Sequence, residues 1–321
     1  MKLSVCCLAV FLVLLSIVCL SGCGSGNDTW TNTGGKVSNF GAGPLVYDSA
    51  HNVLYAGCKQ QVEDTGSTAG RGVWKYDGKS WTDTGGSVSS YEIGCLAYDS
   101  THNLLYASCY KMSPGELCLE PHGTGVWKYN GKTWTNTGGR AKSFNVVALA
   151  YDSAHNVLYA ACEYSPSTGG VWKYDGKSWT DTGVDSSNYG IVSLAYDGEH
   201  NLLYAGAGAG VEDINHFGHS VWKYDGTNWT DTGGVVSIYS VNSLACDSAH
   251  NMIYACYHFH DVGGSKGVWK YNGTTWTNIS DEEMSNYNFR SLVYDSKSNL
   301  LFAGCSDDIN NDKGVWKYKG R

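Results

Sequence analysis

Residues 98–107 read Tyr-Asp-Ser-Thr-His-Asn-Leu-Leu-Tyr-Ala, 126–129 read Val-Trp-Lys-Tyr, 130–131 read Asn-Gly, and 134–135 read Trp-Thr. The Asp-Ser-Thr-His-Asn piece is turn chemistry between two apolar runs, with Asp able to bond nearby backbone N–H groups. Asn-Gly tolerates positive φ and marks a tight hairpin. The stretch thus predicts four short antiparallel strands, ending at Asp99, then at 104–109, 126–129 and 134–137.

The pattern recurs along the whole chain. Val-Trp-Lys-Tyr occurs six times, with its Trp at 74, 127, 172, 222, 269 and 316. Trp-Thr also occurs six times, at 30, 81, 134, 179, 229 and 276, spaced 51, 53, 45, 50 and 47 residues apart. Together they use all 12 Trp. Four-stranded units at this period predict an all-β, six-bladed β-propeller over residues 28–321. Trp30 is a fourth strand without its first three, and 315–318 is a third strand without its fourth. Joined, they complete the sixth blade and close the ring, which removes free sheet edges.

Composition agrees. Of 321 residues, 41 are Gly and 4 are Pro, charged residues are 16%, and aromatics are 13%. An average soluble domain carries about 25% charged residues. Many Tyr, Trp and Thr with few Lys and Glu argue against a helical bundle. A net charge of −8 with no basic run excludes a nucleic-acid groove.

The N-terminus is a targeting segment. Lys2 precedes an apolar run over 3–20 and then Ser21-Gly22-Cys23, the layout of a secretory signal. The Leu20-Ser21-Gly22-Cys23 ending resembles the bacterial lipobox. The resemblance implies cleavage after residue 22, lipid on Cys23, a tether over 23–27, and a place in the bacterial cell envelope, at the outer membrane or cell surface. Plain secretion and a retained apolar helix are the alternatives.

The repeats resemble those of BNR and sortilin-type propellers, through Leu-Tyr-Ala followed by Gly-Val-x-Lys and an Asp-Gly turn before Trp. They also resemble kelch repeats, through Tyr-Asp-Gly followed by Trp. The Asp-box of the first family is one residue too short at 77–81, and the kelch double glycine is replaced by pairs such as Gly57-Cys58. The resemblance implies the fold and transfers no activity.

Antiparallel order puts the two hairpin turns of every unit at one end and the long loops at the other. The loops over 59–72, 110–125, 163–170, 207–220, 257–267 and 306–314 differ in length and chemistry, and function concentrates in such loops. Seven residues before each Tyr/Cys-Asp stands an aromatic: Phe40, Tyr91, Phe144, Tyr189, Tyr239 and Tyr287. These should ring the loop-side channel mouth, either as blade packing or as a stacking platform. Their polar neighbours Glu92, Asn145, Asn242, Asn288 and Arg290 differ from blade to blade, as a specific site requires.

His51, His102, His155, His200 and His250 recur in the first turn and read as structural. His216, His219, His258, His260 and Asp261 do not recur. They read as solvated loop groups or, chemically, as ligands for Zn²⁺. Loop carboxylates would suit Ca²⁺, without a regular ligand loop. No cofactor is required by any motif. Cys58, Cys109, Cys162 and Cys305 share one slot and read as small buried residues. Pairing among Cys95, Cys109, Cys118, Cys246 and Cys256 stays open.

Two functions from different classes fit. One is an envelope-anchored binding or scaffold module taking a protein or glycan on the loop face. The other is an extracytoplasmic carbohydrate-active hydrolase or lyase with its site at the channel mouth. No catalytic residue is marked by a motif, which tilts the reading away from an enzyme.

Overall fold

The computed structural model describes residues 36–48, 50–61, 68–111, 122–139, 144–162, 169–184, 190–208, 221–234, 240–258, 267–280, 288–306 and 314–319. The signal, the tether and the Trp30 strand predicted above lie outside them. Among the described residues, no helix is long and apolar enough to cross a membrane.

The chain is all-β, and its strands form six successive antiparallel sheets, the blades of a β-propeller. Sheet one holds β1 (Gly41–Asp48), β2 (Val53–Gln61), β3 (Thr68–Tyr76) and β4 (Trp81–Asp83). Sheet two holds β5 (Glu92–Asp99), β6 (Leu104–Lys111), β7 (His122–Tyr129) and β8 (Trp134–Asn136). Sheet three holds β9 (Val146–Asp152), β10 (Val157–Cys162), β11 (Gly170–Tyr174) and β12 (Trp179–Asp181). Sheet four holds β13 (Ile191–Asp197), β14 (Leu202–Ala207), β15 (Val221–Tyr224) and β16 (Trp229–Asp231). Sheet five holds β17 (Ser240–Asp247), β18 (Met252–His258), β19 (Val268–Tyr271) and β20 (Trp276–Asn278). Sheet six holds β21 (Asn288–Asp295), β22 (Leu300–Ser306) and β23 (Gly314–Tyr318). Two compact units divide the chain, Met1–Gly138 with sheets one and two and Gly139–Arg321 with sheets three to six.

The first turns of sheets one to five share an Asp–His pair. Asp99 Oδ1 accepts from the backbone N–H groups of Thr101 and His102. Its Oδ2 lies 2.8 Å from His102 Nδ1. The same pairs recur as Asp48–His51, Asp152–His155, Asp197–His200 and Asp247–His250. The five Asp are buried and the His partly exposed, so the recurring His are turn braces. The turn closes on an Asn in the left-handed region in all six sheets, for example Asn103 at φ 55°. Asn tolerates that conformation where most side chains do not. Asp77, Asp175 and Asp225 cap the second turns by accepting two backbone N–H groups each.

The loop-side hairpin runs on further than predicted in sheets one and two. β2 pairs with β3 out to Gln61–Thr68, and β6 with β7 out to Lys111–His122, each through a bulge. Gly72 and Gly125 sit at positive φ of 66° and 79° beside these bulges, a conformation that spares only glycine its Cβ clash.

Neighbouring sheets within each unit pack face to face and are held by two kinds of latch. On the outer side, the fourth-strand Trp donates its indole N–H to a Thr hydroxyl of the preceding sheet. Trp134 reaches Thr84, Trp229 reaches Thr182 and Trp276 reaches Thr232, each at 3.1 Å. The same Trp stacks on the Tyr of its own third strand, with ring centroids 4.8–5.0 Å apart. At the turn end, Tyr98 donates to Asp48 Oδ2 at 2.6 Å, and Tyr196 and Tyr294 bond Asp152 and Asp247 likewise. Between the latches lies a small-residue core, with Val73, Leu105 and Ala107 filling one seam and Val221, Ile253 and Ala255 another.

Candidate binding face

The loop end of each sheet begins where its first strand breaks register. Pairing is interrupted between Ala42 and Leu45, Ile93 and Leu96, Val146 and Ala148, Ile191 and Ser193, Val241 and Ser243, and Phe289 and Ser291. A bulge re-aims a side chain and is frequent near functional sites. Asn242 and Arg290, two of the predicted site residues, occupy bulge positions. Val192 occupies a third and is the one large apolar side chain exposed among the described residues.

The bulges of sheets five and six are braced from the preceding sheet. Leu244 N donates to Ser193 Oγ at 3.0 Å, and Leu292 N to Ser243 Oγ at 3.1 Å. Asn242 Nδ2 donates to the Phe289 carbonyl at 2.7 Å, so Asn242 ties sheet five to sheet six. Burial lifts the Cys256 thiol to about 12, against smaller lowering effects of backbone hydrogen bonds at Ser243 and Cys256 and, least, of the Arg290 charge.

In the first unit, Glu92 accepts from Lys59 Nζ at 2.9 Å, with side chains only 14% and 24% exposed. They border a small recess lined also by Gly43, Gly57, Cys58 and Ile93. The crossing is close. A Cβ on Gly57 would come within 2.6 Å of Ile93 Cβ, and one on Gly70 within 2.1 Å of the Tyr91 backbone. Glu92 is therefore ion-paired and partly buried, which suits a positioned polar group more than an acid or nucleophile.

The predicted aromatics pack on the third-strand Trp of their own sheet. Phe40–Trp74, Tyr91–Trp127 and Phe144–Trp172 have ring centroids 5.6, 5.9 and 4.9 Å apart, and Phe144 is buried. The Arg71 guanidinium lies 5.8 Å above the Phe40 ring. Asn145 sits just ahead of β9, and Asn288 opens β21. Tyr189, Tyr239 and Tyr287 lie outside the described residues, as do His216, His219, His260, Asp261 and the side chain of His258. Among the described residues no three His, Cys, Asp or Glu come together to hold a metal ion.

Most described carboxylates are taken up by the scaffold. The five first-turn Asp hold their His. Asp83, Asp181 and Asp231 each accept a glycine N–H after the fourth strand. Asp295 accepts from Lys297 N. Cys58 and Cys109 are buried free thiols, and burial lifts the Cys58 thiol to about 12. Cys95 Sγ lies 3.1 Å from Ser108 Oγ. Cys118 lies outside the described residues.

Sequence reasoning missed the first-strand bulges and the left-handed Asn. The six Asn immediately after the turn His, or after Ser298 in the last copy, were the available signal.

No family model and no curated protein matches the chain. Solved structures do. The GH74 xyloglucanase of Xanthomonas campestris superposes with a TM-score of 0.60 at 16% identity, over 85% of this chain and 44% of that one. The GH74 enzyme of Niastella koreensis gives 0.61 at 15% identity, over 86% and 45%. The chain thus spans less than half the length of either enzyme. At such identity the likeness speaks to fold alone, and that fold is the β-propeller.

Proposed function

We propose that this is an exported, lipid-anchored propeller that binds a protein or glycan at the bacterial cell envelope through the loop ends of its sheets. The observation that carries the reading is the contrast between the two ends of each sheet. At the turn end, buried Asp carboxylates are consumed by bonds from their own turn His and from a Tyr of the next sheet. At the loop end, the first-strand bulges carry residues that change from sheet to sheet, Val147, Val192, Asn242 and Arg290, with Val192 exposed. A constant scaffold with variable loops is how binding sites are carried. Zn²⁺ at the His216, His219, His258, His260 and Asp261 loops, or Ca²⁺ at the loop carboxylates, is an accessory of this reading and is not needed for it.

Anchoring is tested by membrane fractionation of wild type against Cys23→Ser. Loss of cleavage and of membrane retention is expected; unchanged retention with an uncleaved signal would mean a transmembrane anchor instead. Binding is tested on a glycan array and by pull-down, comparing wild type with Glu92→Gln and Arg290→Ala. Weaker capture is expected of both, with a lowered melting temperature as well for Glu92→Gln, which strips Lys59 of its ion-pair partner.

The second reading is a carbohydrate-active hydrolase, favoured by the likeness to a xyloglucanase. A glycosidase needs two carboxyl groups about 5–10 Å apart. Glu92 is already held by Lys59, so the pair would come from Glu163, Asp185 and Glu282, which lie outside the described residues. Incubation with xyloglucan separates the readings: reducing ends released in proportion to enzyme support hydrolysis, and retention without cleavage supports the binding module.

A further inference from the structure

The β2–β3 hairpin of sheet one carries two cations at its loop end, and they are held in different ways. Lys59 Nζ donates to Glu92 at 2.9 Å, so its charge is matched by a carboxylate. Arg71 Nε and Nη2 donate to Gln60 Oε1 at 3.0 and 2.7 Å, so its charge is held by a neutral amide. The guanidinium also lies 5.8 Å above the half-buried Phe40 ring. The Arg71 backbone is fixed as well, because its carbonyl accepts the Trp74 indole N–H at 2.9 Å. Among the described residues, the ion pairs are Lys59–Glu92 and the five Asp–His pairs of the first turns, and none includes Arg71. Arg71 is exposed. It is a positioned cation that no described carboxylate neutralises.

Nor does the scaffold need an arginine there. Thr124 stands at the same place in sheet two, just before Gly125 and Val126, as Arg71 stands just before Gly72 and Val73. Thr124 Oγ1 turns back to the Cys109 carbonyl at 3.0 Å. The same backbone thus accepts a small hydroxyl side chain in one sheet and presents a charged one in the other.

We propose, building on the binding reading above, that Arg71 binds the carboxylate of an acidic glycan, a uronic-acid unit, at the loop end of sheet one. A guanidinium has five N–H donors. Two go to Gln60, which leaves the parallel pair at the Nη1–Nη2 end, a fork that takes a carboxylate in bidentate fashion. Because Phe40 and Gln60 already fix the side chain, little rotamer freedom is lost when the anion docks. A carboxylate fixed to a sugar ring suits this site better than the flexible Asp or Glu of a protein. A rigid cation meets a rigid anion, and a ring hydroxyl beside the carboxylate can accept from the Gln60 amide N–H group, since Arg71 occupies only the amide oxygen.

The test is a set of binding titrations of the full chain in detergent with galacturonate oligomers, their methyl esters and glutamate oligomers. Wild type should bind the galacturonate oligomers, more weakly as salt rises, and should bind neither of the others. Arg71→Thr, which installs the side chain that sheet two carries at Thr124, should weaken binding about tenfold or more at a nearly unchanged melting temperature. Arg71→Lys keeps the charge but loses the fork and should fall between the two. Equal affinity in wild type and both variants would overturn the site. Glutamate oligomers bound as tightly as galacturonate would overturn the glycan assignment, as would equal binding of the methyl esters. Wild type that ignores galacturonate but captures another ligand on the array or in the pull-down overturns the Arg71 site alone. Capture of nothing in any of these experiments overturns the binding reading with it.

Discussion

The seam between sheets one and two and the seam between sheets four and five are built on one plan, but only the first has both latches. In the first, Trp134 bonds Thr84 and Tyr98 bonds Asp48. In the second, Trp276 bonds Thr232, but the Tyr98 position is Cys246, whose Sγ lies 3.5 Å from Ser248 Oγ. Asp197 is left with donors from its own turn, the Glu199 and His200 N–H groups and His200 Nδ1. Tyr98 also stacks on Tyr55, with centroids 6.0 Å apart, a contact that Cys246 cannot make with Tyr204. The difference teaches which latch is common to both. The outer Trp combines apolar burial with a hydrogen bond, while the turn-end phenol adds a bond to an Asp that its own turn already satisfies.

Breaking the shared element should have the largest effect. Trp134→Ala and Trp276→Ala should each cost about 3–5 kcal/mol, the range for truncating a large buried aromatic, and the two losses should be similar in urea titrations. If Trp276→Ala costs far less than Trp134→Ala, the outer latch is not the common support of the two seams.

The phenol comes next. Tyr98→Phe removes a hydrogen bond to a carboxylate and should cost about 1.5–3 kcal/mol. Cys246→Ser has no such bond to lose and should cost less. The gain-of-latch variant Cys246→Tyr should recover part of the difference by reaching Asp197 and stacking on Tyr204. A destabilised Cys246→Tyr protein would mean that sheets four and five have closed over the space a phenol needs.

The smallest effect is on acid sensitivity. Burial pushes the Asp48 carboxyl up, but bonds from Tyr98 and from the His51 ring and N–H outweigh it and hold the group below its ordinary range. A carboxyl depressed in the folded state contributes stability that is present above the unfolded value, near pH 4, and lost as pH falls through the folded value. Thermal melts from pH 5 to pH 2 should therefore fall less steeply in Asp48→Asn than in wild type, from a lower starting point. Parallel slopes would show that Asp48 is not among the groups that bind protons on unfolding.

The blade count and strand order were legible because three separate signals repeat together: the apolar first and second strands, the Asp-Gly or Asn-Gly turn, and the paired Trp. The bracing role of the recurring His was legible because repetition argues for structure. The latches were not, since Trp134 to Thr84 and Tyr98 to Asp48 join residues 50 apart, and spacing within one repeat says nothing about its neighbour. The bulges left little trace, because register depends on how two strands meet. Asn242 was legible as an odd residue among the first strands, but its bond to the Phe289 carbonyl belongs to the next sheet. The extra length of β3 and β7 was hidden by Gly72 and Gly125, which read as loop ends and act as bulge residues.

The latches also have a direction. In every seam where they are described, the later sheet donates and the earlier one accepts: Trp134 to Thr84, Trp229 to Thr182, Trp276 to Thr232, and Tyr98 to Asp48. The Asp acceptors are already oriented by their own turns, through bonds only two or three residues long. A chain that emerges N-terminus first therefore offers each sheet as a finished template, and the next sheet can dock as soon as its Tyr and Trp arrive. Assembly can proceed sheet by sheet behind a translocation pore or a ribosome, and polar groups stay satisfied while the rest of the chain is still unseen.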